Sequence, residues 1–342
     1  MAIFINCLKP SKLNYNYIFL FEDISYVKLQ YNDLKKSNSA QFVPIKILSW
    51  QKDKKNIKNF MCHLHLSTTI NRVISLPFKG IWAKSLFNFS AKPSMDKEKP
   101  FCFVIDARCY EKYDNTLIRH LKNDYKNCKM VLYFTDIIST YKIHLEKAKN
   151  VFDSILTFEY NDSVNHNIFH YDNPYSKINI TSTLPKSDIF FIGQNKNRLR
   201  DIIYTYETLS KNGISCDFNI VNVDEKDRIL ENVINYTNFM DYSDIIRHIL
   251  SSCCILELLQ DKASSPTLRT LEAVCYNKKL LTNCKSVINK NYYNPDFISI
   301  FDTVKNIEID FIKNQSRLVE YNYCDKLSPL EMVKFINDDI LS

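Results

Sequence analysis

Short hydrophobic runs alternate with amphipathic stretches along most of the chain. In the first half, nearly continuous apolar runs cover residues 17–21, 42–48, 101–106 and 130–134, and a stretch of helical period covers residues 115–125. Short, continuously apolar runs are typical of strands that are covered on both faces of a sheet. The pattern predicts an α/β domain. The prediction is weakest for residues 1–75. In this stretch the alternation of His63 and His65 indicates a strand.

The second half gives a more regular pattern. Residues 172–187 are polar, contain two prolines and predict a linker. A buried strand at residues 188–193 then precedes an amphipathic helix that ends at Asn212-Gly213. Strands and helices continue to alternate, with strands predicted at residues 216–223, 253–259, 278–283 and 297–301 and helices at residues 241–252 and 265–277. The alternation predicts a parallel sheet with helices on both faces.

Chain length and the linker together indicate two domains. A chain of 342 residues exceeds one ordinary core. We place a first Rossmann-like domain at residues 1–180, a second at residues 187–315 and a helical segment at residues 316–342. Ser328, Pro329 and Glu331 form a capping box, which predicts a closing helix.

Composition and cysteine usage fit a folded cytoplasmic protein. Hydrophobic residues make up 45% of the chain and charged residues 24%. Polar residues such as Asn6 and Lys9 interrupt the apolar N-terminus, so the sequence predicts neither a signal peptide nor a membrane span. The 11 cysteines contain no C-x-x-C pair, which favours reduced thiols over disulfides or a zinc site.

The net charge of +7 is modest, with the basic residues partly clustered at Lys52, Lys54, Lys55 and Lys58. These lysines fit a solvated face, and the alternative is attraction to an anionic membrane surface. We find no zinc-finger spacing, RNP-like strand or long basic helix, so no nucleic-acid partner is predicted.

Gly193 is one of only three glycines and ends a predicted strand immediately before a helix. A glycine at this turn lets a ligand approach the backbone, and the free N–H groups of the helix attract phosphate. Lys196 and Arg198 follow it, either as phosphate ligands or as ordinary surface bases. The turn lacks the G-x-G-x-x-G pattern of dinucleotide sites and instead suits a sugar nucleotide.

A second helix start follows the strand that contains Glu257. Ser265 is expected to cap this helix and Pro266 to occupy its first turn. Arg269 and Glu272, three residues apart, share one flank of the helix. Such a pair is often a surface ion pair, but its place after a strand end also fits a ligand site.

Three stretches carry a family resemblance: DIFFIGQNKNRL, CILELLQDKASSPTLRTLEAVCYNKKLLTN and YYNPDFISIF. In this order they resemble the donor domain of bacterial lipopolysaccharide and capsule glycosyltransferases of the GT-B fold. The resemblance implies two Rossmann-like domains that face each other across a cleft, with a C-terminal helix that packs back on the first domain. It implies that Glu272 binds the donor ribose. It further implies donor-binding roles for Gly193, Lys196, Arg198, Glu257, Gln260, Ser265, Thr267 and Arg269.

The chain departs from this family at several positions. Ser265-Pro266 stands where the family commonly has Gly-Leu, and Asn277 where it has Gly. Retaining relatives often carry an acidic residue at the position of Ser264, so its absence favours inversion of the anomeric centre. No D-x-D triplet occurs, which predicts a metal-independent reaction without a cofactor. The general base is expected from the first domain, where Asp106 and Asp136 follow strands, although either could equally cap a helix.

We therefore expect a glycosyltransferase that moves a hexosyl or deoxyhexosyl group from a UDP- or dTDP-linked donor. A lipopolysaccharide, capsule or lipid-linked glycan is the expected acceptor, with the enzyme in the cytoplasm or peripheral at the inner membrane. The alternatives are a non-catalytic nucleotide- or glycan-binding assembly protein and a sugar-nucleotide epimerase on the same fold.

Overall fold

The computed structural model describes residues 13–47, 57–67, 82, 86–87, 89–260, 263–314 and 317–342. The chain divides into two compact units. Unit 1 comprises the chain up to Thr157 together with His166–Tyr171 and Pro329–Ser342. Unit 2 comprises Phe158–Asn165 and Asp172–Ser328.

Unit 1 contains a parallel sheet of six described strands in the order β2-β1-β3-β4-β5-β6. Its central strands are almost completely buried, as their continuous apolar sequences predict. The strands are β1 (Asn16–Glu22), β2 (Ala40–Ile45), β3 (Phe101–Asp106), β4 (Lys129–Phe134), β5 (Ser154–Thr157) and β6 (Phe169–His170).

The described helices of unit 1 include one long amphipathic helix whose apolar side packs on the sheet through Leu117 and Leu121. The α-helices are α1 (Ser25–Gln30), α2 (Ile57–Leu66), α3 (Ala107–Asp124), α4 (Leu145–Lys149) and, at the chain end, α10 (Pro329–Phe335). A π-helix, Ile336–Ile340, continues α10 and places the Asn337 side chain against the Tyr17 hydroxyl, 3.0 Å away.

Two predictions in unit 1 need correction. Helix α3 begins at Ala107, well before residue 115, because the Asp106 side chain caps it by accepting the N–H of Arg108 at 3.1 Å. The stretch that contains His63 and His65 is helix α2 and not a strand. Two alternating histidines are too short a pattern to specify a strand. In the helix, His65 Nδ1 accepts a hydrogen bond from Trp82 Nε1 at 2.7 Å.

Unit 2 contains a second parallel sheet of six described strands in the order β12-β11-β10-β7-β8-β9. The short strand β9 escaped prediction because it is only three residues long and carries no hydrophobic run. The strands are β7 (Ser187–Gln194), β8 (Cys216–Val221), β9 (Asn235–Thr237), β10 (Ser252–Glu257), β11 (Lys279–Thr282) and β12 (Ile298–Ile300).

The helices of unit 2 follow its strands in the predicted alternation. They are α5 (Tyr160–His166), α6 (Leu199–Lys211), α7 (Tyr242–Ser251), α8 (Leu268–Cys275) and α9 (Ile309–Lys313). The predicted linker has no regular structure, but Tyr175 and Ser176 are fully buried in unit 2, so this segment is packed. Short 3₁₀ turns occur at Asn32–Lys36, Ile138–Thr140, Glu225–Asp227, Lys285–Asn289, Val304–Asn306 and Cys324–Leu327.

The architecture confirms the predicted α/β class with two parallel sheets. Among the described residues, no helix has both the length and the apolar character that a membrane crossing requires.

Candidate functional site

The sheet of unit 2 reverses its strand order between β7 and β10. From β7 the chain proceeds to β8 and β9 on one side, whereas β10, β11 and β12 lie on the other. Parallel sheets bind their ligands at the carboxyl ends of the strands that flank such a reversal. Gly193 and Gln194 end β7, and Glu257 ends β10. The predicted donor residues therefore lie at the edge where the topology creates a crevice.

The guanidinium group of Arg198 lies close to Gly193 at the end of β7. A Cβ atom at this position would come within 2.8 Å of Nη2 of Arg198 and 3.0 Å of the Phe191 ring. The Arg198 Nε atom also donates to the Gln194 carbonyl at 3.2 Å. The structure thus brings Gly193 and Arg198 together, as the sequence predicted.

The turn between β7 and α6 is tight and leaves Lys196 exposed. Lys196 and Asn197 both have positive φ, at 37° and 65°. The turn closes with a bond of 2.9 Å from the Arg198 N–H to the Asn195 carbonyl. The Asn195 side chain also accepts the Leu199 N–H at 3.1 Å, which satisfies a free donor at the start of α6.

The charge on Arg198 is partly withdrawn from solvent. Burial lowers the pKa of its guanidinium, and the Glu257 carboxylate on the neighbouring strand opposes this shift. An arginine that is both desolvated and held over a glycine is well placed to bind an anion such as a diphosphate.

Glu257 is buried, and its carboxylate accepts four hydrogen bonds. Oε1 accepts the N–H and hydroxyl of Thr267 at 3.0 and 2.6 Å. Oε2 accepts the hydroxyls of Thr270 at 2.9 Å and Thr282 at 2.6 Å. One carboxylate therefore joins β10, β11 and the first turn of α8. This geometry favours a positioning role for Glu257, and its contact with the donor sugar stays a prediction.

Helix α8 is capped by Thr267 and not by Ser265 as predicted. The Thr267 hydroxyl accepts the N–H of Arg269 at 3.2 Å. Ser265 is used differently, because its hydroxyl accepts the N–H of Tyr160 at 3.1 Å. The helix cap therefore lies at Thr267, two residues later than predicted, and α8 begins at Leu268.

Arg269 and Glu272 form a largely buried ion pair and not a surface ion pair. Glu272 is completely buried, and only 15% of the Arg269 side chain is exposed. Glu272 Oε2 lies 2.8 Å from Arg269 Nη1, and Oε1 accepts the hydroxyl of Tyr242 at 2.6 Å. Burial raises the pKa of the Glu272 carboxyl to about 7, although the charge of Arg269 and the bond from Tyr242 both oppose the shift. Both carboxylate oxygens of Glu272 thus have partners within the protein, and its contact with the donor ribose stays a prediction.

Glu159, which no sequence pattern singled out, contacts the loop that precedes α8. It is buried, and its Oε2 accepts the N–H groups of Ser264 and Ser265, each at 3.2 Å. The hydroxyl of Ser264, where retaining relatives often carry an acid, also donates to the Glu159 carboxylate. The two segments are about 105 residues apart, so no local motif could reveal the contact. Gln260 is partly buried in the same region, and its carbonyl accepts the N–H of Ala263 at 3.1 Å.

Unit 1 has its own strand reversal, between β1 and β3. Asp106 ends β3, is buried, and accepts the Thr135 hydroxyl at 3.3 Å in addition to the N–H of Arg108. Burial raises the pKa of the Asp106 carboxyl to about 6, and the N–H groups of Arg108 and Glu22 oppose the shift. Asp136 Oδ2 lies 3.5 Å from Arg108 Nη2. The structure thus brings the two predicted catalytic carboxylates together through Arg108.

Within the described part of the chain, no group of three or more His, Cys, Asp and Glu side chains could hold a metal ion.

Comparison with solved structures identifies the architecture. The chain is similar to an α-glucosyltransferase in complex with UDP-glucose and DNA containing an abasic site, at 13% identity and a TM-score of 0.52, with 94% of this chain and 90% of that chain covered. It is also similar to a putative UDP-N-acetylglucosamine 2-epimerase from Listeria monocytogenes, at 6% identity and a TM-score of 0.52 over 95% and 97%. The chain has the predicted GT-B fold. No family model and no curated protein sequence matches it.

Proposed function

We propose that this protein is a glycosyltransferase that uses a nucleotide-sugar donor, UDP- or dTDP-linked, and transfers a hexosyl or deoxyhexosyl group. The observation that carries the proposal is the edge of the second sheet, where Arg198 lies over Gly193 beside the N-terminus of α6 and the neighbouring strand leads to α8. The shared fold with an α-glucosyltransferase that was solved with UDP-glucose supports it.

The donor diphosphate would be bound without a metal ion. The partial positive charge at the starts of α6 and α8 attracts phosphate oxygens, and Arg198, Lys196 and Arg269 supply further positive charge. Arg269 is held in place by Glu272 at 2.8 Å, so little side-chain order has to be gained on binding. Thr267 aligns the first turn of α8 by capping it.

The transfer breaks the bond between the anomeric carbon and the diphosphate oxygen and forms a bond to an acceptor hydroxyl. The hydroxyl proton passes to a carboxylate, for which Asp106 and Asp136 are the candidates, and the nucleoside diphosphate leaves with the bonding electron pair. A pKa of about 6 leaves Asp106 mainly ionised at neutral pH, as a base requires. We propose inversion at the anomeric carbon in a single displacement.

We propose a glycan or glycolipid as acceptor, of the lipopolysaccharide, capsule or lipid-linked class. The carboxyl edge of the first sheet carries Glu22, Asp106 and Asp136, and the positive charge of Arg108 lies beside Asp136. Carboxylates accept hydrogen bonds from sugar hydroxyls and repel phosphates, so this edge favours a neutral polyhydroxyl acceptor over a nucleic-acid backbone. The overall charge of +7 would assist attraction of the cytoplasmic protein to an anionic inner membrane.

An epimerase is the second candidate, because the same fold occurs in a putative sugar-nucleotide 2-epimerase. An epimerase converts the donor without an acceptor, whereas a glycosyltransferase releases the nucleoside diphosphate in proportion to the glycosylated product. A non-catalytic assembly protein would bind a nucleotide or glycan but would turn over neither.

The test incubates purified protein with UDP- and dTDP-sugars and either lipid-linked glycan or duplex DNA, and follows nucleotide release and product mass. We expect release with the glycan only. Asp106→Asn and Asp136→Asn separate the candidate bases, since loss of a general base lowers kcat by about 10²- to 10⁴-fold while donor affinity is kept. Donor isomerisation without an acceptor, or transfer to DNA, would contradict the proposal.

A further inference from the structure

The loop that precedes helix α8 is bound by a carboxylate from a distant part of the sequence. Glu159 is only 1% exposed. Its Oε2 accepts the successive N–H groups of Ser264 and Ser265, each at 3.2 Å. Its Oε1 accepts the Ser264 hydroxyl. Three donors of one short loop are therefore satisfied by a single side chain, and burial makes each of these bonds costly to lose.

The contact is reciprocal, which fixes the loop relative to the start of α5. Ser265 Oγ accepts the Tyr160 N–H at 3.1 Å, and Asn161 Nδ2 donates to Ser264 Oγ at 2.9 Å. From the other side, the Cys284 thiol donates to the Ser264 carbonyl at 3.4 Å. The loop between β10 and α8 is thus held on two sides, and Glu159 provides the only charge that the described contacts bring to its N–H groups.

This loop leads directly into the donor site. Ser265 is followed by Pro266 and then by Thr267, which caps α8 and whose N–H and hydroxyl bind Glu257. Proline fixes its own φ, so a displacement of Ser265 is transmitted to Thr267 and to the first N–H groups of the helix. A misplacement of about 1 Å in groups that orient a substrate can lower the reaction rate by about 100-fold.

From this geometry we infer that Glu159 is a positioning residue of the donor site, which holds the Ser264–Ser265 loop in the form that presents the start of α8 to the donor diphosphate. The inference rests on the proposed function. It predicts that an oxygen atom that accepts the two N–H groups matters more at position 159 than a negative charge does. Gln can supply that acceptor oxygen, and its amide N–H can donate to Ser264 Oγ, whereas Ala supplies neither.

The experiment compares Glu159→Ala and Glu159→Gln with the wild type by calorimetric titration of UDP and by donor KM and kcat. We expect Glu159→Ala to weaken UDP binding and raise donor KM by about 10- to 100-fold, the loss expected from one or two buried hydrogen bonds. We expect Glu159→Gln to stay within about threefold of the wild type. Asp188→Ala is the matched control, because Asp188 accepts the Ser215 N–H at 2.8 Å at the opposite end of β7.

The control should lower the melting temperature without changing the dissociation constant of UDP. If Glu159→Ala lowers the melting temperature equally and leaves UDP affinity unchanged, the carboxylate is structural only and the inference is overturned. If Glu159→Ala does not fold, Glu159→Gln and Glu159→Asp decide, since the shorter Asp cannot reach both N–H groups and should bind UDP more weakly than Gln. A wild type that neither binds nor releases UDP or dTDP would overturn the proposed function together with this inference.

Discussion

At the scale of single residues, Gly193 and Gly213 illustrate two separate reasons for a glycine. Gly193 has ordinary backbone angles but no room for a Cβ, because Arg198 and Phe191 occupy that space. Gly213 has φ of +78° and open space around it. The first glycine leaves room for the Arg198 side chain, and the second allows the positive φ at the end of α6.

We predict opposite outcomes for alanine at these two positions. Gly193→Ala displaces the flexible end of Arg198, so UDP affinity should fall by about tenfold while stability changes by less than about 1 kcal/mol. Gly213→Ala forces a side chain into the left-handed region, so stability should fall by about 1 kcal/mol with UDP affinity unchanged. Chemical denaturation and UDP titration measure both. Equal UDP affinity for Gly193→Ala and the wild type would show that Arg198 does not bind the diphosphate.

Glu272 makes stability depend on pH. Its pKa is raised from 4.5 in the unfolded chain to about 7 in the folded protein, so the folded state binds more protons between these values. The free energy of unfolding therefore falls as pH rises from 4.5 through 7, by on the order of 3 kcal/mol for this group. Glu272→Gln cannot lose a proton, and it should flatten this fall. Urea denaturation at pH 5 and pH 8 tests the prediction, and parallel curves for the variant and the wild type would contradict it.

At the scale of elements, the sequence predicted the strands and helices where one physical signal was sufficient. Residues 101–106 are a strand at the predicted bounds because their apolar run is continuous and buried. The predicted start of α3 was too late because the sequence left open whether Asp106 ends a strand or caps a helix. In the structure the Asp106 side chain caps α3. The strand β9 is only three residues long, and Tyr236 is its one apolar residue, so it carries no hydrophobic run.

The site was predictable only where it lies on contiguous sequence. Gly193 with Arg198 and Arg269 with Glu272 are close neighbours, so their proximity followed from a turn and from helical spacing. The contact of Glu159 with Ser264 depends on tertiary packing and had no sequence signal. The partner of Glu272 is likewise distant, because Tyr242 comes from another helix.

We predict that Glu257 is the main structural link at the carboxyl edge of the second sheet. Glu257→Ala leaves buried hydroxyls of Thr270 and Thr282 without their acceptor and should lower stability by roughly 2–4 kcal/mol. Glu308→Ala is a suitable control, because its only described bond is a long one of 3.5 Å from Ser299. Thermal denaturation of both variants tests this prediction. Equal melting temperatures for Glu257→Ala and Glu308→Ala would contradict the role of Glu257.

At the scale of the whole molecule, the two sheets carry different chemical groups at their carboxyl edges. Each sheet reverses its strand order once, between β1 and β3 in unit 1 and between β7 and β10 in unit 2. The edge of unit 2 carries arginine and helix starts that suit a diphosphate, and the edge of unit 1 carries carboxylates that suit hydroxyl groups. Such a division is what transfer from an anionic donor to a polyhydroxyl acceptor requires.

The most direct test of the donor site is calorimetric titration of UDP, and of dTDP if UDP does not bind, into the wild type, Arg198→Ala and the control Arg317→Ala. Arg317 pairs with Asp296 on the surface, with 67% of its side chain exposed. The account predicts saturable binding by the wild type and the control, and a loss of at least about tenfold in affinity for Arg198→Ala. Absence of binding by the wild type, or equal affinity in all three proteins, would contradict it.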